Sequence, residues 1–161
     1  MDVIDDFEDA AKLWCNWGTQ RDAEEIAEIE RSCVLPLRQD VIESLLDRSD
    51  CSCRLLASRH SGAAYGYVLY IVDDVRTHIV RVGVRPEYRR RGVGRTLVSR
   101  IIERSRHFRR NIVTAHVPGL AFDACHLFAS IGFASRVAHD MFGSQDGIVF
   151  SLQLKDDKCS C

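Results

Sequence analysis

Apolar residues recur along this chain with two different periods, and the switches between them mark out its elements. Ala23, Ile26, Ala27 and Ile29 fall at helical spacing, which predicts an amphipathic helix with that stripe turned inward. Thr19, with Asp22 three residues on, resembles a capping box in which Asp stands where Glu or Gln is usual. Before it, Trp14-Cys-Asn-Trp17 reads as a short first strand. Pro36 interrupts the chain, and Val41, Ile42, Leu45 and Leu46 predict a second short helix. Residues 53–58, 64–72 and 77–84 are then rich in Val, Ile, Leu and Tyr, and the turn signals Ser61-Gly62 and Asp73-Asp74 separate them. They predict three strands joined by hairpins. In the third, Val80, Val82 and Val84 are expected on one face.

Helical spacing returns after Pro86. Val93, Leu97, Val98, Ile101, Ile102 and Phe108 share one side of a long helix, and residues 111–117 follow as a strand. Leu120, Ala124, Leu127, Phe128 and Ile131 predict another helix, stopped by Gly132. Residues 133–138 and 148–154 close the chain as two strands around Ser144-Gln145-Asp146-Gly147. The order is strand, two helices, three strands, helix, strand, helix, two strands. It implies an α/β domain of the mixed α+β kind, with a mostly antiparallel central sheet covered by helices on both faces. A length of 161 residues suits one domain. Residues 1–12 are expected as an acidic lead-in and 155–161 as a flexible tail.

Charge adds one feature to this picture. The net charge is −1, so the whole chain gives no reason to expect a nucleic-acid or membrane partner. Between residues 76 and 110, however, arginine is frequent and the only carboxylates are Glu87 and Glu103. An arginine-rich segment in a near-neutral protein points to a local anion site. The same arginines are also what a chain using Arg in place of Lys would show, since Lys occurs only at positions 12, 155 and 158. The seven cysteines are odd in number, and the acidic start Met1-Asp2-Val3-Ile4-Asp5-Asp6 is unlike a secretory signal. No apolar run approaches membrane-spanning length. Reduced thiols and a cytoplasmic location are expected. Cys51-Ser-Cys53 and Cys159-Ser-Cys161 lack the two-residue gap of a zinc knuckle, so no metal site is expected.

The candidate chemistry lies in Arg89-Arg90-Arg91-Gly92-Val93-Gly94. A strand that passes through a glycine-containing turn into a helix presents unpaired N–H groups and a helix dipole to an anion. Gly92 and Gly94 remove side chains that would block close approach, and Arg89, Arg90, Arg91 and Arg95 add charge. The segment lacks the Lys-Ser/Thr ending of a nucleotide P-loop. A dinucleotide-binding turn would follow a first strand within a parallel unit, whereas the strands here read as antiparallel hairpins.

Val82-Gly-Val-Arg-Pro-Glu-Tyr-Arg-Arg-Arg-Gly-Val-Gly-Arg-Thr-Leu97 resembles the acetyl-CoA-binding motif of the GNAT N-acetyltransferases. Leu127-Phe128-Ala-Ser-Ile-Gly-Phe133 resembles that family's second signature. Within the family, the likeness is greatest to bacterial ribosomal-protein N-terminal alanine acetyltransferases. The resemblance spans about residues 65–154; the first third agrees in element order only. It implies transfer of an acetyl group from acetyl-CoA, as co-substrate and without a metal, to a primary amine: a peptide N-terminus, a lysine or a small molecule. It also implies a splayed strand pair, 77–84 and 111–117, that admits the cofactor. The expected cofactor-binding positions are Val82, Gly83, Val84, Arg89, Arg90, Arg91, Gly92, Val93, Gly94, Arg95, Thr96 and Phe128. The backbone of Val82 to Val84 would pair with the pantetheine arm, and an N–H near Val84 would polarise the thioester carbonyl.

The chain departs from the family pattern at the chemistry. The base is usually a Glu on the strand after the phosphate-binding helix; His116 occupies that position. A neutral imidazole is available at neutral pH, which makes His116 the candidate base. A Tyr that often serves as acid is replaced by Phe128, an Asn by Ala121 and an Arg by Pro118. Cys125, His126 and Tyr88 are weaker candidates for the acid. The altered positions also suit an acyl-CoA-binding module with weak or no catalysis. Acceptor choice is expected to lie in residues 31–40 and 139–147.

Overall fold

A computed structural model describes residues 14–154. One seven-stranded sheet organises the chain, with strand order β1-β2-β3-β4-β5-β7-β6. Its strands are β1 (Trp14–Trp17), β2 (Cys51–Ala57), β3 (Ala64–Val72), β4 (Arg76–Val84), β5 (Ile112–Pro118), β6 (Ala134–Phe142) and β7 (Gln145–Gln153). Every pair is antiparallel except β4 with β5. The helices are α1 (Ala23–Glu30), α2 (Gln39–Leu46), α3 (Val93–His107) and α4 (Phe122–Ile131). The element order and the mixed, mostly antiparallel sheet agree with the expectation from the sequence. No helix among the described residues is long and apolar enough to cross a membrane.

The two faces carry separate cores. Leu97, Val98, Ile101 and Ile102 of α3 and Phe128 of α4 pack on Val68, Ile79, Val113, Ala115 and Phe150. On the other face, Ile26 and Ile29 of α1 and Ile42 of α2 pack on Cys53, Leu55, Tyr67 and Leu69. Each such large side chain contributes about 1.5–3 kcal/mol on burial. Cys51 and Cys53 both point into this second core, as the alternation of β2 requires. The helix start at Thr19 is built as its sequence suggests. The Asp22 carboxylate accepts from the Thr19 backbone N–H at 2.7 Å and from its hydroxyl at 3.1 Å.

Three expectations are corrected. Val80, Val82 and Val84 do not share a face. The β3–β4 register slips so that Leu69 pairs Arg81 while Tyr70 pairs Ile79. This bulge inserts Val80 and reverses the phase of everything after it. Val80 joins the α1 core, and Val82 and Val84 join the α3 core. The last hairpin turns two residues earlier than its turn signal suggests. Phe142 pairs Gln145, with Gly143 at φ 68° between them, and residues 139–141 are taken up in a register irregularity. Phe108 does not continue the apolar side of α3. It caps the helix and stays 48% exposed, its ring 5.0 Å from that of His107.

Candidate functional site

The parallel pairing of β4 and β5 runs from Arg76 with Ile112 to Ile79 with Ala115, and stops there. Beyond Ile79 the strands part, and a cleft of about 580 Å³ opens between them. Its walls are Val82 and Val84 of β4, His116 to Pro118 of β5, the start of α3, and residues of α4. Ser32, Cys33 and Val34 close one side. The splay starts at the bulge, where Val80 is the extra residue and β4 changes phase.

At one end of the cleft, β4 passes through a short turn (Pro86–Tyr88) and Arg89–Gly92 into α3. Gly92 is the N-cap with φ 84°, a left-handed conformation that glycine adopts without strain. Thr96 N–H closes a helical bond to the Gly92 carbonyl at 2.9 Å, so the N–H groups before it lack partners within the helix. They sit at the positive end of the α3 dipole, beside Arg90 and Arg95. Asp123, the only carboxylate on the cleft wall among the described residues, is held by Arg90 at 3.2 Å. Open backbone donors, a left-handed glycine and surplus positive charge fit the pyrophosphate of a CoA thioester.

Not every expected position faces the cleft. Val82, Val84, Arg89, Arg90, Gly92, Val93, Gly94, Arg95 and Phe128 line it; Gly83, Arg91 and Thr96 do not. Gly83 is small because of the other face: a Cβ there would lie 2.5 Å from Tyr67 Cε1. Gly94 serves packing as well as access, since its Cβ would come to 3.0 Å from Leu127 Cδ2, between α3 and α4. Arg89 is turned away from the helix start. Its Nε donates to the Val84 carbonyl at 3.0 Å and its Nη2 to the Ser32 hydroxyl at 2.8 Å. Arg91 lies over the Tyr88 ring at 5.9 Å. Arg95 donates to the Ser130 hydroxyl at 2.8 Å.

At the other end, His116 is exposed on the face of β5 opposite the α3 core. Its ring meets that of His78 edge-on, centroids 4.6 Å apart, and Nδ1 of His78 lies 2.8 Å from the Thr114 hydroxyl. Burial, then the charges of His116 and Arg76, push His78 down to about 4. Partial desolvation, then Arg76 and Arg136, hold His116 below the ordinary histidine value. Both rings therefore stay neutral at neutral pH. Phe128 is 2% exposed, stacked on Phe150 at 5.4 Å and edge-on to Phe133 at 5.1 Å. It is an aromatic core residue that also floors the cleft. Tyr88 packs against Tyr65 with ring centroids at 4.3 Å, and Cys125 points its thiol at the Pro118 carbonyl. His126 lines the cleft from α4. Among the described residues, no three His, Cys, Asp or Glu side chains are grouped to hold a metal ion.

Three residues of this region went unread in the sequence. His78 carried no signal, because its neighbour across the sheet is set by the parallel pairing. Glu30 did carry one: it falls in phase with the apolar stripe of α1, where an unpaired carboxylate has no place. Arg81 could be found only through the bulge.

The family model described as "Acetyltransferase (GNAT) family" matches residues 14–133. No curated protein sequence gives a significant match. Among solved structures, the ribosomal-protein-S18-alanine N-acetyltransferase from Escherichia coli superposes with a TM-score of 0.77 at 18% identity, covering 92% of this chain and 99% of that one. NAA60 from Arabidopsis thaliana in complex with acetyl-CoA gives 0.76 at 18% identity, covering 89% and 99%. Ard1 from Thermoplasma volcanium gives 0.77 at 15% identity, covering 89% and 98%. At such identities the superpositions speak to the fold. The family match, spanning most of the chain and including β4, the glycine turn and α3, shows that this protein belongs to the GNAT acetyltransferase family.

Proposed function

We propose that this acetyltransferase moves the acetyl group of acetyl-CoA onto a primary amine, that a peptide N-terminus is the favoured acceptor, and that His116 takes the acceptor's proton. The observation that carries the reading is the single cleft between the parted β4 and β5. It has a helix start with arginine side chains at one end, which suits phosphate, and a neutral imidazole at the other. Acetyl-CoA supplies an activated acetyl thioester. The chain's own residues bind and orient it: the first turn of α3 and Arg90 and Arg95 toward the phosphates, Val82 and Val84 along the arm.

The acceptor side supports an α-amine. Helices α1 and α2 cover β2, β3 and the end of β4, while Thr114, His116, Val149, Ser151 and Arg136 share an uncovered strip across β5, β7 and β6. An extended peptide fits that strip. An α-amine titrates near ~7.7–8.0 and a lysine near ~10.4. A histidine held below its ordinary pKa is a weak base, adequate for the first and poor for the second. One of the similar structures is named as an alanine N-acetyltransferase, and another was solved with acetyl-CoA, which agrees with this choice. With Phe128 buried and lacking a proton, the thiolate leaves unassisted by that position; a thiol pKa near ~8.5 makes it a tolerable leaving group.

The test is release of free CoA from acetyl-CoA in the presence of short peptides, N-blocked lysine peptides and small amines. The expected result is faster turnover on free peptide N-termini. Preference for N-blocked lysine peptides would overturn the acceptor class. CoA binding with no amine acetylated would make the protein a binding module.

A further inference from the structure

Glu30 ends α1 and is 0% exposed. Its carboxylate is fully engaged. The Tyr67 hydroxyl donates to Oε1, Arg81 Nε donates to both oxygens at 3.0 and 3.1 Å, and the Leu37 backbone N–H donates to Oε2 at 2.8 Å. Arg81 then reaches further: its Nη2 donates to the carbonyls of Val34 at 2.7 Å and Leu35 at 2.8 Å. Bonds from one buried ion pair thus converge on residues 34–37, where Leu35 is held at φ 49°. Ser32, Cys33 and Val34 of this connection line the cleft, together with Arg81 itself.

Arg81 reaches this place only because of the bulge. Without the extra residue, strict alternation would aim it at the α3 face. The same irregularity marks where β4 leaves β5. A buried pair of this kind adds little stability over apolar residues of the same volume, and removing one partner strands a charge. Its contribution lies in geometry: a planar guanidinium fixes carboxylate and carbonyl groups in one arrangement.

We propose that Arg81 and Glu30 are positioning residues for acceptor recognition: the buried pair ties the segment 32–37 to the cofactor strand, and so holds one wall of the acceptor side of the cleft in a single shape. The proposal rests on the acceptor reading above, and its test separates the two. Arg81→Met, Arg81→Lys and the double variant Glu30→Gln/Arg81→Met are compared with the wild type; the double variant leaves no charge buried alone, so it serves if a single variant does not fold. Amide hydrogen exchange needs no acceptor. Exchange at residues 32–38 should rise by about tenfold or more while α3 keeps its protection. Unchanged exchange there overturns the tie, whatever the kinetics show. In steady state, the peptide KM should rise by about tenfold with kcat and CoA affinity nearly unchanged, because uniform acceptor binding is what is lost. Arg81→Lys should fall between. An unchanged peptide KM, or an equal loss of CoA affinity, overturns the recognition role. If the wild type acetylates no amine, the acceptor reading and the recognition role fall together, and raised exchange still upholds the tie.

Discussion

At the residue scale, the proposed function turns on His116 and on what keeps it neutral. Its depressed pKa, from partial desolvation and the neighbouring Arg76 and Arg136, leaves the base form populated below the ordinary histidine range. The ascending limb of the pH–rate profile should therefore lie below ~6.5. His116→Ala should remove that limb and lower the rate by about 10²–10⁴ with CoA affinity unchanged. A wild-type rate in that variant, measured on the true acceptor, would dismiss His116 as the base. Phe128 belongs to a different ledger. Packed against Phe133 and Phe150, it should cost about 3–5 kcal/mol of stability when cut to Ala, read from denaturant unfolding. Gly92, at φ 84°, should lose about 1–2 kcal/mol on change to Ala, the strain of the left-handed region.

At the element scale, the parallel pair of β4 and β5 places His78 beside Thr114 and against His116. This arrangement has a consequence for stability. The folded state holds His78 down to about 4, chiefly by burial, whereas an unfolded chain binds the proton near ~6.5. Between those values the unfolded state binds more protons, so protonation favours unfolding. The stabilisation is fully present above ~6.5 and is lost as pH falls toward about 4. Thermal unfolding followed across this window should show the midpoint falling with acid. His78→Asn should flatten the dependence; an equally steep curve in that variant would remove His78 as its source. The helix pair α3–α4 is just as specific. Gly94 meets Leu127, so a larger residue there pushes the two helices apart.

At the scale of the whole molecule, one sheet serves two layers with different tasks. On the proposed function, the α3–α4 layer holds the cofactor's phosphates and the α1–α2 layer faces the acceptor, and the cleft opens where the sheet splits. A ligand that spans both should stabilise the fold as a unit. CoA at about a hundredfold excess over its Kd should add about 2.7 kcal/mol, seen as a raised unfolding midpoint. Gly94→Glu, which brings bulk and like charge to the phosphate end, should abolish that rise, while the free variant folds with a lower midpoint because the α3–α4 contact at Leu127 is strained. A full CoA-induced rise in that variant would place the phosphates elsewhere.

Local periodicity determined much of this. The apolar stripes of α1 and α3, the β-rich runs of β2 to β4, and the Gly-rich turn before a helix are all properties of neighbouring residues, and the elements formed in the order that spacing required, with Phe108 and the last turn displaced. The glycine turn into α3 was legible for the same reason, since a helix start and its arginines are contiguous in the chain. Tertiary structure alone decided the rest. The bulge at Val80 arises from the fit of β4 to β3, and no pattern within β4 announces it. That slip moved Arg81 to the α1 face, and it falls where the pairing with β5 ends and the cleft begins. His78, Thr114 and His116 meet because two strands far apart in sequence lie parallel. Glu30, Tyr67 and Arg81 meet because a helix, a strand and a bulge converge on one buried point, where desolvation allows a charge only if every partner is in place.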